Sequence, residues 1–215
     1  MPFSSAQVSW RTHVGTWTRF FLGMRLGPYH EMSPPIVSAL LKLGRVERAD
    51  HLYDIGCGDG RVLITAAQST GCRATGIEVD ARVAELCRRN VAAQKLEGQI
   101  SVREGDARRM DISDATVVTL YLSERGNKAL QPLLTPKLLA DPSTRVLSFL
   151  FEMPGWTPVQ MELEHASQIP LYLFDGSSLP PNIRKEYEQR KEQRLQQEEQ
   201  QKQQQQDDKG KAEAA

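Results

Sequence analysis

Leu52-Tyr53-Asp54-Ile55-Gly56-Cys57-Gly58-Asp59-Gly60-Arg61 is an apolar run that breaks into three alternating glycines and enters a helical stretch. Glycines in that pattern let a loop turn tightly and let a ligand approach backbone at a strand's end. A dinucleotide site spaces its glycines GxGxxG and rests a pyrophosphate on the helix N-terminus. Here the spacing is GxGxG, with Asp54 two residues before the first glycine and Asp59 inside the loop. Those carboxylates repel a pyrophosphate and suit a ligand whose contacting end is an ammonium and a sulfonium. Glu78, twenty residues beyond Gly58 at the tip of the next apolar run, stands where a carboxylate takes both ribose hydroxyls.

Outward from the loop, short strands alternate with helices. Leu52 to Ile55 reads as a strand, Arg61 to Ser69 as a helix stopped at Gly71, and Ala74 to Glu78 as a second strand. Ala81 to Leu96 reads as a helix capped by Asp80, with Val83, Leu86, Cys87 and Val91 on one face and Gly98 as its end. Ile100 to Arg103, Thr116 to Leu122 and Thr144 to Phe151 are three more strand candidates, and a proline-interrupted helical segment runs from Asn127 to Leu139. Val159 to Glu164 and Ile169 to Phe174, joined by the short link His165 to Gln168, are expected to pair antiparallel at the sheet edge. The fold class is therefore α/β, a Rossmann-like doubly wound sheet of seven strands, mostly parallel, with an antiparallel edge hairpin.

The chain has 215 residues, and its 27 Lys and Arg balance 27 Asp and Glu, which suits one ordinary domain with flanking segments and gives nucleic acid no general electrostatic claim. Cys57, Cys72 and Cys87 form no CxxC pair, and His13, His30, His51 and His165 are scattered, so neither a metal site nor triad chemistry is indicated. No window approaches 18 uninterrupted apolar residues. Residues 1–30 hold Arg11, Arg19 and Arg25 but no Asp or Glu, which reads either as a mitochondrial transit peptide or as an amphipathic helix packing Trp17, Phe20 and Phe21, with cytoplasmic residence as the alternative. The same stretch could hold the protein at a membrane surface. The domain is expected over 31–176, and 177–215 is a Gln-, Glu- and Lys-rich tail, helical or disordered.

Asp54-Ile-Gly-Cys-Gly-Asp-Gly60, Gly76-Ile-Glu78 and Glu104-Gly-Asp-Ala-Arg108 together resemble the class I S-adenosylmethionine-dependent methyltransferases. The resemblance implies that Asp54, Gly56, Cys57, Gly58, Asp59 and Gly60 surround the methionyl end of S-adenosylmethionine. It further implies that Glu78 with Val79 takes the ribose and that Asp106 with Ala107 borders the adenine. Pro28-Tyr29, Ser33-Pro34, Leu120-Tyr121-Leu122 and Met153-Pro154-Gly155-Trp156 look like the small mitochondrial protein-lysine methyltransferases and their bacterial relatives. That likeness implies a protein substrate with a target lysine and a Tyr and Pro segment that lies as a lid over the cofactor. Because ligands of open parallel sheets sit beyond the strands' carboxyl ends, the catalytic pocket is expected from Tyr29, Tyr121, Ser123 and Glu124, with no metal. A methyltransferase acting on RNA or a small molecule shares the fold, although Leu120-Tyr121-Leu122-Ser123 stands where an Asn-Pro-Pro-Tyr signature would be. A catalytically silent subunit and an aminopropyl transferase are the remaining alternatives. The intact acids argue against the first, and the lack of a paired-acid polyamine site argues against the second.

Overall fold

The structure is a computed structural model that describes residues 31–164, 167–193 and 195–197. The readings made on Tyr29 and on residues 1–30 lie outside the described residues.

Two consecutive prolines start α1 (Pro34–Leu43), where a missing N–H is no loss, and Ile36, Val37, Leu40, Leu41 and Leu43 bury one face of it. β1 (His51–Ile55) is buried along its whole length, as a central parallel strand covered on both faces must be. α2 (Arg61–Thr70) closes on Gly71, and β2 (Arg73–Glu78) returns parallel to β1. Asp80 caps α3 (Ala81–Ala93) by accepting from the N–H groups of Arg82 and Val83. α3 stops short of the expected Leu96. Its last turn tightens through Gln94 and Lys95, and Lys95 itself takes a left-handed φ of 56°, so Gly98 has no terminating role.

β3 (Ile100–Glu104), β4 (Val117–Leu120) and β5 (Arg145–Phe149) complete the parallel set. The expected proline interruption does not occur. α4 (Glu124–Ala140) runs unbroken through Pro132 and Pro136 and buries Leu130, Leu134 and Leu138 at four-residue spacing. Both prolines face solvent, where water can satisfy the carbonyls they orphan, while the leucine stripe supplies the packing.

The last two strands, β6 (Gln160–Leu163) and β7 (Pro170–Phe174), pair antiparallel, and β7 inserts between β5 and β6. The sheet order β3-β2-β1-β4-β5-β7-β6 places the topological switch between β1 and β4, and a ligand in such a sheet sits beyond the strands' carboxyl ends at that switch.

Residues through Ser178 form one compact unit and those from Leu179 onward a second, in which 181–193 and 195–197 are helical. Arg190 and Glu186 pair one turn apart on that helix. No helix among the described residues is long and apolar enough to cross a membrane.

Candidate active site

The loop after β1 is bent by Gly56, Gly58 and Gly60, whose φ values of 81°, 56° and 84° lie in the left-handed region that side chains disfavour. Gly56 and Cys57 both donate to the Ile77 carbonyl, which ties the loop to the tip of β2. The room behind the loop is filled by sulfur. The Sγ atoms of Cys57 and Cys87 lie 3.9 Å apart, and that contact, followed by burial, pushes the Cys57 thiol well up. A methyl group on Gly76 would meet Cys57 Sγ at 2.6 Å, so glycine at position 76 is what lets β2 pass.

Three acids converge there. Asp54 is buried at the end of β1 and accepts from Thr119 Oγ1 of β4 at 2.7 Å. Burial pushes its carboxyl up to about 7; the Thr119 bond opposes the rise, and the charges of Glu78 and Asp59 add to it. Glu78, also buried, accepts from the Gly58 N–H at 3.2 Å through Oε2 and from the Asp80 N–H at 3.0 Å through Oε1. Asp59 forms a forked pair with Arg61, 2.6 Å at its shortest. Arg61 also donates to the Met32 carbonyl at 2.8 Å and meets Glu31 at 3.1 Å, so it fastens the segment before α1 to the glycine loop.

Gly105 donates to the Glu78 carbonyl, which sets the loop after β3 beside the tip of β2. In that loop Asp106 caps a short 3₁₀ turn (Ala107–Arg109), and its carboxylate is held below the usual range by the Arg108 guanidinium at 2.6 Å. Ala107 is buried and Val79 is exposed.

On the other side of the switch, the position of a Cβ on Gly56 lies 3.2 Å from Leu122, so the segment after β4 abuts the glycine loop. Tyr121 is half-buried with its ring edge-on to Phe149 at 4.5 Å, and burial raises its hydroxyl's pKa. Ser123 accepts from the Gly126 N–H as the cap of α4, and Glu124 is exposed in the first turn. Trp156 is buried against Phe174, 6.0 Å between centroids; Phe174 pairs with Val146 near the amino end of β5, so Trp156 plugs the core there and does not wall the site.

The expected residues therefore gather at one end of the sheet in two groups: the Asp54–Glu78 group, with Asp106 beside it, and the Tyr121–Glu124 group. Thr119 and Arg61 were not singled out by sequence reasoning. Thr119 gave no signal, because its partnership with Asp54 exists only through the β1–β4 register. Arg61 was visible as the residue closing the Gly-Asp-Gly-Arg run, but its partners at Glu31 and Met32 are a tertiary matter.

A buried carboxyl near its titration point beside a second buried carboxylate can balance a cation. Glu78 stands at the tip of β2 beside the glycine loop, where its carboxylate accepts from the Gly58 N–H. The residues thus fit a nucleoside with a cationic tail.

The model of the ANTKMT methyltransferase domain matches residues 54–160. A protein-lysine N-methyltransferase of Saccharolobus islandicus is 38% identical over 62% of this chain and 83% of its own length. The mouse adenine nucleotide translocase lysine N-methyltransferase is 28% identical over 70% of this chain and 64% of its own. Among solved structures, an RNA methyltransferase from Salinibacter ruber in complex with S-adenosyl-L-homocysteine is 37% identical over 71% of this chain and 97% of its own, with a TM-score of 0.65. With the glycine loop, the ordered acids and the 3-2-1-4-5-7-6 sheet all in place, the chain belongs to the class I S-adenosylmethionine-dependent methyltransferases.

Proposed function

We propose that this protein transfers a methyl group from S-adenosylmethionine to the side-chain amine of a lysine in a protein acceptor. The observation that carries the choice of acceptor is the 38% identity to the archaeal protein-lysine N-methyltransferase across most of that enzyme.

When bound, the cofactor supplies an electrophilic methyl carbon on a sulfonium. The chain's own residues do the rest by placement. Asp54 faces the cationic methionyl end, with Gly56 to Gly60 as its backbone cradle. Glu78 takes the ribose, with Val79 beside it, and Ala107 with Asp106 borders the adenine. Alignment of two reactants in a dry site is worth up to about 7–11 kcal/mol of barrier.

The attacking amine must be neutral, and a desolvated channel lowers a lysine's pKa toward that state. Tyr121 is a phenol, protonated at neutral pH, and burial raises its pKa further. It therefore serves as an oxygen and a ring face for the developing ammonium and does not act as a base. Tyr29, Ser123 and Glu124 complete the mouth of this channel.

The second reading, an RNA acceptor, is favoured by the name of the Salinibacter relative. Incubating the enzyme with methyl-labelled cofactor and a cell extract separates the two: label lost to protease and kept through ribonuclease supports lysine in protein. Label lost to ribonuclease refutes it, and no label at all supports a silent subunit. The acid-free stretch 1–30 is proposed to direct the chain to mitochondria or to lie on a membrane surface. Fusing it to a fluorescent protein tests this, and diffuse cytosolic signal counts against it.

A further inference from the structure

The connection between β5 and β6, residues 150–159, carries Pro154, Gly155 and Pro158 and forms no helix. On the sheet face that carries Ser148, Tyr172 and Met161 in register, α4 reaches Ser148 through Asn127 at 3.1 Å, and Trp156 of the connection packs on Phe174, which stacks with Tyr172. Between the start of α4 and the 150–154 loop lies a cleft of about 320 Å³ lined by Glu124, Leu150, Phe151, Glu152, Pro154 and Tyr172.

The cleft is built into the fold. Leu150 is held at a φ of 71°, a conformation that a branched side chain adopts only where its surroundings impose it. The buried amide of Asn127 supplies that constraint by donating to the carbonyls of Phe151 and Glu152, each at 3.0 Å. The Tyr172 hydroxyl is pushed up by burial and then by Glu152 beside it.

Met161 stands directly across from Tyr172 on the edge strand. Val159, Met161 and Leu163, spaced by two, are 45%, 52% and 48% exposed. Three apolar side chains of one period-two row, exposed among the described residues on an edge strand, invite a partner.

We propose that the acceptor protein is gripped outside the transfer centre, with a basic residue neighbouring its target lysine seated between Glu124 and Glu152 and its apolar side chains laid on Val159, Met161 and Leu163. This rests on the reading of a protein acceptor. Charge selects the occupant: a pair of carboxylates on aromatic walls attracts a lysine or arginine side chain and repels the phosphates of RNA. The position suits the role, because Glu124 and Leu122 flank the same short turn after β4 and Leu122 abuts the glycine loop. A second copy of this chain pairing along β6 is the competing occupant.

The test compares the full-length protein with Glu152→Gln, Glu152→Lys and Met161→Glu, using methyl-labelled S-adenosylmethionine and a cell extract. Glu152 and Met161 are exposed, so melting temperature and calorimetric affinity for the cofactor should match the wild type in all three variants. Initial protein labelling should fall about tenfold in Glu152→Lys and Met161→Glu and less in Glu152→Gln. Added salt should slow labelling by the wild type and leave Glu152→Gln little changed. Wild-type rates of protein labelling in both Glu152→Lys and Met161→Glu would overturn the docking proposal and leave the lysine reading standing. Label that ribonuclease removes from the wild-type reaction would overturn both. A concentration-dependent dimer in sedimentation that Met161→Glu dissolves would assign the surface to a second copy and overturn the acceptor assignment.

Discussion

Acidifying the solution from pH 7 to pH 5 should weaken cofactor binding steeply, because Asp54 titrates in that range. Its carboxyl is pushed up to about 7, against an ordinary value of 3.8, by burial first and then by the charges of Glu78 and Asp59. A ligand that presents an ammonium and a sulfonium binds the ionised form. The apparent affinity should then fall by about fivefold from pH 7 to 6 and by nearly tenfold from pH 6 to 5, where the slope approaches about 1.4 kcal/mol per unit. With half of Asp54 ionised at pH 7 and about one part in a hundred at pH 5, the total loss is about fifty-fold. The ligand's own α-amino group loses its proton near about 7.7–8.0, so binding should be tightest between pH 7 and 8.

Folding responds in the opposite sense. Between pH 3.8 and 7 the native chain holds a proton on Asp54 that the unfolded chain has lost, so stability declines as pH rises through that window. The shift of about three units bounds this loss at about 4 kcal/mol, and a bound cation recovers part of it. Calorimetric titration at pH 5, 6 and 7, repeated in two buffers of different ionisation enthalpy, should show proton release that grows as pH falls below 7. Asp54→Asn should bind weakly at every pH and lose the slope. A flat affinity between pH 5 and 7 in the wild type, or the same slope in Asp54→Asn, would refute the reasoning.

Gly60→Ala should destabilise the protein by about 1–3 kcal/mol in denaturant titrations, since its methyl would lie 2.6 Å from Cys87 Sγ on a backbone held at φ 84°. Adding Cys87→Ala should recover only the steric part. Arg145→Ala should cost about 3 kcal/mol by the same measurement. Arg145 pairs with the buried Asp50 and also donates to the Gly44 and Arg45 carbonyls, so its loss leaves the Asp50 carboxylate without its cation, held among the described residues only by the Glu47 N–H and the Thr116 hydroxyl. Tyr121→Phe should lower kcat while leaving cofactor affinity near that of the wild type, because the ring keeps its edge contact with Phe149 and only the hydroxyl is lost. Equal losses in turnover and cofactor affinity would place the hydroxyl in the cofactor site.

What could be read from the sequence was what depends on neighbours along the chain. Gly56, Gly58 and Gly60 announce backbone conformations that other residues resist, Asp80 caps the helix that begins at the next residue, and buried strands show as apolar runs between turns. The acids Asp54 and Glu78 were legible for the same reason, each standing at the end of such a run.

What required the fold were relations between residues far apart in the chain. Thr119 meets Asp54 only because β4 lies beside β1 in one register, and burial at that seam, which no spacing encodes, lifts the Asp54 carboxyl toward neutrality. α4 continues through two prolines because its leucines face the core and its prolines face water. The cleft beside Tyr172 exists because Asn127 of α4 holds the 150–152 turn and β7 threads between β5 and β6. Local chemistry thus specifies where chain can bend and which ends carry charge. Which distant groups share a dry space, and therefore how tightly each holds its proton, is decided by packing, because desolvation depends on everything around a group and not on its neighbours in sequence.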